Sequence, residues 1–286
     1  MISESDPMFR FGGHWRFIEV PNMSLVIDKV HSKSSVVGAG VFVVLIAFLI
    51  KYRYRPGRNA TFNHGNSRLE VVWTLVPTVI LAWTAAVSQK SWSEMRSPLS
   101  MPTAQEIQRG DAIEVRVIGK QFLWNFQYPG VDGKFGERRL DLIDPKGDNP
   151  DAWIGLDRTG PGRDDLVTLN KLVVPVNKKV LLHVNSVDVL HSFFLINFRM
   201  KLDAVPGMEG KVWIKATQTS AEVVGTGGLE AYAGAKPFDI VCAELCGAAH
   251  YTMRGKLYVV SEEDYQQFLI EEAEYLGLGD EEGRDY

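Results

Sequence analysis

Cysteine is nearly absent from this chain: its 286 residues hold two, Cys242 and Cys246. Two cysteines cannot build a disulfide framework. The pattern Cys-x-x-Cys-His occurs nowhere, which excludes a c-type haem attached to this chain. Compositional bias is lacking too. Hydrophobic residues make up 45% and charged residues 23%, with 26 glycines and 13 prolines, so disordered and collagen-like readings fall away. A mean hydropathy of −0.07 excludes a chain that lies mostly in a membrane, but not one with one or two spans. Basic residues are scarce at the C-terminal end, where residues 262–286 carry ten acids against Arg284. Against a net charge of −4 for the whole, the rest of the chain is mildly basic. An acidic tail on such a body argues against a nucleic-acid partner.

Long apolar runs are few but present. Val36–Ile50 is unbroken for 15 residues, with Lys33 and Lys51 placed to snorkel and Tyr52 and Tyr54 where an aromatic belt would lie. Leu69–Val87 is a second run of 19 residues. It has Glu70 at its start, Pro77 inside, and Thr74, Thr78 and Thr84 able to bond the helix backbone. A buried core helix or a signal-peptide core is the alternative for the first run, but a signal peptide would start nearer residue 1. The two runs predict a transmembrane hairpin over 30–95, with helices at about 30–52 and 69–92. Residues 1–29 form a segment outside the membrane. The connecting residues 51–68 hold Lys51, Arg53, Arg55, Arg58 and Arg68 and no acid, which puts that loop in the cytoplasm. Both chain ends then lie on the periplasmic or outer side.

From residue 96 to 261 the texture is β-rich. Segments 113–118, 122–128, 172–175, 180–185, 212–215, 238–242 and 256–260 are punctuated by Gly, Pro and Asn, predicting an antiparallel sandwich or barrel. The stretch 129–170, rich in Gly, Asp and Arg, reads as a long surface loop inserted in the sheet. Ser261-x-x-Asp264 reads as a capping box opening an acidic helix in 262–286, with Gly277 ending it.

The chemistry lies in Cys242-Ala-Glu244-Leu-Cys246-Gly-Ala-Ala-His250-Tyr-Thr-Met253, together with His191 upstream. Structural zinc favours Cys2His2 but without a thioether. Soft sulfur with imidazole favours copper. A mononuclear copper site needs one thiolate; the second here can bridge two copper ions, each with one histidine, with Met253 and a carbonyl near Glu244 as weak ligands. A Cys242–Cys246 disulfide is the competing reading in an oxidising compartment, and it leaves His191, His250 and Met253 unexplained.

These residues resemble subunit II of the haem-copper cytochrome c oxidases, over nearly the whole chain. The resemblance implies a membrane-anchored all-β protein: a two-helix transmembrane hairpin followed by a cupredoxin-like Greek-key β-barrel carrying a binuclear copper centre, CuA. It implies that Cys242 and Cys246 bridge the coppers. His191 and His250 are then terminal ligands, Met253 is axial, and the Glu244 carbonyl is the last ligand. The Glu244 carboxylate matches a position that binds magnesium or manganese shared with subunit I, as suits a hard cation. The implied function is electron entry to a terminal oxidase, from cytochrome c through the copper to the haems of subunit I for reduction of oxygen. The implied partners are subunit I with haem a and copper B, subunit III, and a cytochrome c or membrane-tethered cytochrome c domain, the whole within a respiratory supercomplex on one reading. The localisation is the cytoplasmic membrane, two-pass. The CuA subunit of a nitric oxide reductase is an alternative, against which Glu70 and Asp203–Gly207 weigh. A copper-free anchored module is another, against which the complete ligand set weighs.

Glu70 matches a family glutamate at a proton-path entrance, though an acid at a membrane boundary is equally a solvated end. Asp188 matches an acid that helps dock cytochrome c. His183 reads as structural, and His14, His31 and His64 as unremarkable. Along 121–128, strand period places Phe122, Trp124, Phe126 and Tyr128 on one face and Gln121, Leu123, Asn125 and Gln127 on the other. The family's usual tryptophan for electron entry is here Phe122, followed by Trp124. A phenyl ring has no N–H to bond at the surface.

Overall fold

The computed structural model describes residues 23–59, 62, 64–144, 146–147, 149–220 and 237–278, without the side chains of 23–34 and 91. Expectations for residues 1–22, including His14, for the side chain of His31, and for the tail beyond 278 lie outside the described residues. Two compact units divide the chain at about residue 100.

The first unit holds α1, Met23–Lys51, and α2, Ser67–Arg96. Asn66 caps α2 by accepting from the N–H groups of Arg68 and Leu69. Thr78 and Thr84 donate their hydroxyls to the carbonyls of Thr74 and Leu81, so both are satisfied within the helix. Helix α2 is long and apolar enough to cross a membrane, and none of its most apolar stretch is buried in protein. The apolar part of α1, Ser35–Lys51, is shorter but equally exposed. Both helices begin earlier than the apolar runs suggest, because polar turns precede the greasy ones.

The second unit is a β-sandwich behind a short helix, α3 (Ala104–Gln108), closed by a Thr103–Glu106 capping box. Its strands are β1 (Ala112–Lys120), β2 (Leu123–Tyr128), β3 (Leu166–Leu169), β4 (Lys171–Pro175), β5 (Lys179–Ser186), β6 (His191–Leu195), β7 (Met200–Ala204), β8 (Gly210–Lys215), β9 (Phe238–Cys242) and β10 (Arg254–Val260). One sheet runs β3-β2-β1-β5-β8 and the other β4-β10-β9-β6-β7. The sequence pattern suggests purely antiparallel pairing; in fact β1 pairs β5 in parallel and β10 pairs β4 in parallel. Crossing connections bring each of these partners back on the same heading. Val115, Val117, Trp124, Phe126, Leu182, Phe193, Leu195, Ile240, Leu257 and Val259 belong to one core fed by both sheets.

Three strands escape the sequence pattern: β3, β6 and β7. The reading of 129–170 as a surface loop is corrected accordingly. It contains β3 and a helix, α4 (Pro150–Ile154). It also buries Ile154 and Leu156 with Ile118 and Val167 in a second small core. Gln127 on β2 donates to the buried Asp165 carboxylate of this segment, which also accepts from the backbone of Gly130 and Gly136. So the polar face of β2 is covered, and β2 is buried on both sides.

A final helix, α5 (Glu262–Tyr275), buries Tyr265, Phe268 and Ala273 in the main core. Ser261 accepts from the Asp264 N–H, but the Asp264 carboxylate accepts from the Ser261 hydroxyl, so the reciprocal half of the box is missing. Lys171 and Lys178 pair with Glu272 and Glu262, tying the acidic helix to the sandwich.

Candidate metal centre

Two adjacent strands of the second sheet deliver the site. Cys242 ends β9 opposite Phe193 on β6, two residues after His191 opens that strand. The following loop is pinned at both ends: Ala243 donates to Ser192, and Cys242 donates to the Met253 carbonyl just before β10 begins. A 3-10 turn over His250–Thr252 brings His250 back toward the cysteines. The loop therefore has little freedom, and its side chains converge on one point.

The two thiol sulfurs stand 3.9 Å apart. Each has its own imidazole: Nδ1 of His191 lies 3.9 Å from Cys242 Sγ, and Nδ1 of His250 lies 3.5 Å from Cys246 Sγ. Each also has a weaker donor: the Glu244 carbonyl is 3.2 Å from Cys242 Sγ, and the Met253 sulfur is 3.8 Å from Cys246 Sγ. Among the described residues, His191, Cys242 and Cys246 form a group of donors close enough to hold one metal ion. Cys242, Cys246 and Met253 are buried, His191 is wholly so, and the Glu244 carboxylate points from an exposed residue. A disulfide is not formed; both cysteines are free.

The charges fit metal binding. Burial pulls the His191 imidazolium down, but Asp188 on one ring nitrogen and the Cys242 sulfur near the other outweigh it, raising its pKa to about 9. Burial also penalises the Cys242 thiolate, yet His191 and the neighbouring backbone bring it down to about 6. Burial and the Cys242 charge push the Cys246 thiol up to about 11. One negative charge is balanced by one imidazolium, and the second must wait for a cation.

Several contributors were not legible in the motif. Asp188 accepts from His191 Nε2 at 2.8 Å, from Gln121 N at 2.7 Å and from Val189 N at 2.7 Å. It holds the ring of a candidate ligand, an outer-shell role that the Asp-x-x-His spacing could have signalled. Gln121 donates its side-chain N–H to the Cys246 carbonyl at 2.5 Å. A Cβ at Gly119 would lie 3.0 Å from the His191 ring and 3.2 Å from Trp124, so glycine lets both rings pack there without shifting. Gly247, at φ +139°, similarly leaves space for Gln121 and Phe122.

Trp124 is wholly buried, edge-on to His191 at 6.0 Å and to Phe193 at 5.2 Å. Phe122 is half-buried beside Gly247. His183 is structural, spanning Glu114 and Glu209 on the first sheet. Glu70 belongs to the other unit, in the first turn of α2, where an acid complements the helix dipole.

The family model described as cytochrome c oxidase subunit II, periplasmic domain, matches residues 113–260, and that for the family's transmembrane domain matches 26–90. The chain is 34% identical over 286 residues to an alternative cytochrome c oxidase subunit 2 of Bradyrhizobium diazoefficiens, covering 97% of this chain and 91% of that protein. It is 34% identical over 240 residues to a cytochrome c oxidase subunit 2 of Cereibacter sphaeroides, covering 80% and 69%. A crystal structure of the periplasmic domain of subunit II of cytochrome oxidase of Bradyrhizobium japonicum is 28% identical, covering 57% of this chain and 94% of that one, with a TM-score of 0.38.

Proposed function

The chain belongs to the cytochrome c oxidase subunit II family, part of haem-copper terminal oxidases, and we propose that it is the electron-entry subunit, holding two copper ions on His191, Cys242, Glu244, Cys246, His250 and Met253. The observation that carries this is the division of the donors into two matching halves. Two sulfurs at 3.9 Å share the middle, and each has its own imidazole within 3.9 Å. One ion would leave half of these soft donors idle, while two ions sharing both thiolates use them all. Bound there, copper supplies one-electron transfer with little movement of its ligands. The chain's own part is to hold those ligands still: the loop is pinned at both ends, and Asp188 fixes the His191 ring.

Of the two aromatic residues assigned to electron entry, Phe122 is the one a donor protein can touch. Trp124 is buried and braces His191. The exposed Glu244 carboxylate is free of the copper side and suits magnesium or manganese shared with subunit I. Subunit III and a cytochrome c, soluble or membrane-tethered, complete the partners. Helices α1 and α2 cross the membrane twice with the basic loop 51–59 and 64–68 inside, and the β-unit lies in the periplasm. Glu70 then sits at the cytoplasmic mouth of a proton path into subunit I.

The β-unit has its own core and compact boundaries, so residues 101–286 are a fair fragment to test. Loaded with copper, it is expected to take up about two ions per chain and to show electron-spin hyperfine structure shared over two copper nuclei. Cys246→Ser is expected to abolish that sharing. A single ion with single-nucleus hyperfine structure in the parent would overturn the reading.

A further inference from the structure

Gln121 lies just before β2, far in sequence from both halves of the centre, yet it touches each. Its main-chain N–H donates to Asp188 Oδ2 at 2.7 Å, and Asp188 Oδ1 accepts from His191 Nε2 at 2.8 Å. Its side-chain N–H donates to the carbonyl of Cys246 at 2.5 Å. The next residue of the loop, Gly247, has no Cβ; one built there would come within 2.8 Å of the Gln121 amide nitrogen. The glycine is what lets that amide reach the carbonyl.

We propose that Gln121 is a positioning residue of the metal centre: one residue ties the Cys246 loop to the turn that orients His191, fixing the separation of the two halves. The inference rests on the metal reading given above, and it concerns residues absent from the ligand motif. The backbone pins of the loop act at Ala243 and at Cys242–Met253, which are its ends. Within the loop, His250 N–H bonds Gly247 and Thr252 N–H bonds Ala249, contacts internal to the segment. Among the described residues, the Gln121 bond joins the middle of the loop to the opposite sheet. Without it, the Cys246 carbonyl is left without that donor, and the loop is free to lift between its pinned ends. Cys246 would then drift from Cys242 while the fold stayed intact. Phe122, the next residue along the chain, packs on Gly247 from the same side. The clamp therefore adjoins both the aromatic contact and the metal core.

Two variants separate the clamp from plain folding. Gln121→Leu removes the donor, and Gln121→Glu keeps the shape but sets a carboxylate against the carbonyl. The main-chain bond to Asp188 survives in both. Gln121 is an exposed residue, so both are expected to fold with the parent's thermal midpoint. In metal-free 101–286, amide hydrogen exchange over 245–249 is expected to quicken on substitution, while the strands exchange as in the parent. In the purified oxidase complex, a chelator is expected to strip copper ~10-fold faster from the variants, with altered hyperfine couplings at the His191 ring. Equal exchange and equal copper loss in parent and variants would overturn the clamp, as would a loss of protection spread evenly over the whole β-unit. A parent without copper would sink the metal reading alone, and the exchange measurement would still decide the clamp.

Discussion

His191 and His250 are held to different standards. The His191 ring is wholly buried, with both nitrogens engaged and Gly119 making room for it. His250 is half-buried on a loop turn. Metal loading must deprotonate its ligands. At pH 7.5 His191, at about 9, and Cys246, at about 11, still carry protons, while Cys242, at about 6, does not. Binding of redox-inert cadmium is therefore expected to release roughly two protons from these groups. Release should fall as pH rises through the His191 value and grow as it drops through the Cys242 value. Calorimetry in buffers of different ionisation enthalpy reads this directly, and no release at pH 7.5 would contradict the charge arrangement. Glu244 gives a second residue-scale expectation. Glu244→Gln keeps the carbonyl beside Cys242 and loses the exposed carboxylate. The copper spectrum should stay, while manganese binding in the whole complex should weaken; unchanged manganese binding would remove the second-metal role. The proposed ligands could be named from the sequence because five of them share one twelve-residue stretch. Gln121 and Gly119 could not, because their partners are set by the fold rather than by nearby sequence; Asp188 was visible, but as a docking acid rather than as the partner of the His191 ring.

Strand β2 shows why elements were only partly legible. Its alternation correctly separates an aromatic face from a polar one, but burial covers both faces. The polar face meets Asp165 from a segment whose composition reads as solvent-exposed. Strand β3, four residues long, hides in that Gly- and Asp-rich stretch, and β7 carries Lys201 and Asp203 on its exposed side. Strand β6 is five residues long and buried at nearly every position, so it lacks the polar–apolar alternation that marks a strand. Helix α5 was visible from its capping sequence at Ser261 and from Gly277, while its acids hid its role. Phe268 packs on Tyr128 at 5.6 Å, and the Tyr128 hydroxyl in turn accepts from Val173 N–H. The helix thus closes the end of the sandwich. Phe268→Ala is expected to cost ~3–5 kcal/mol, read as a lower urea midpoint for the fragment. A loss below ~1 kcal/mol would make α5 an appendage, since a buried aromatic in a shared core costs more than that.

For the whole molecule, the remaining question is what approaches the centre. The surface of the metal loop presents Leu245 at 78% exposure and Tyr251 at 76%, with Leu190 also exposed just before His191. The acid that sequence likeness offered for docking, Asp188, is an exposed residue whose carboxylate already accepts from His191, Gln121, Val189 and Ser186. Two acids of the C-terminal segment, Glu272 and Glu262, are paired with Lys171 and Lys178. A donor meets these apolar side chains and the half-buried Phe122, which offers ring contact but no N–H, with the exposed acids Asp188 and Glu244 alongside. A soluble basic cytochrome c finds its partner by long-range charge, and its association weakens with salt. A donor tethered to the same membrane or complex needs no such steering, because its effective concentration is already high. The expected donor is therefore a membrane-tethered cytochrome c domain. Steady-state turnover of the purified complex should be slow with soluble mitochondrial-type cytochrome c and fast with its co-purifying cytochrome. Phe122→Trp should raise the soluble rate by restoring an indole N–H at the surface. Fast, salt-sensitive turnover of the soluble protein by the parent would defeat the idea, because it would show that charge steering is enough to bring a diffusing donor.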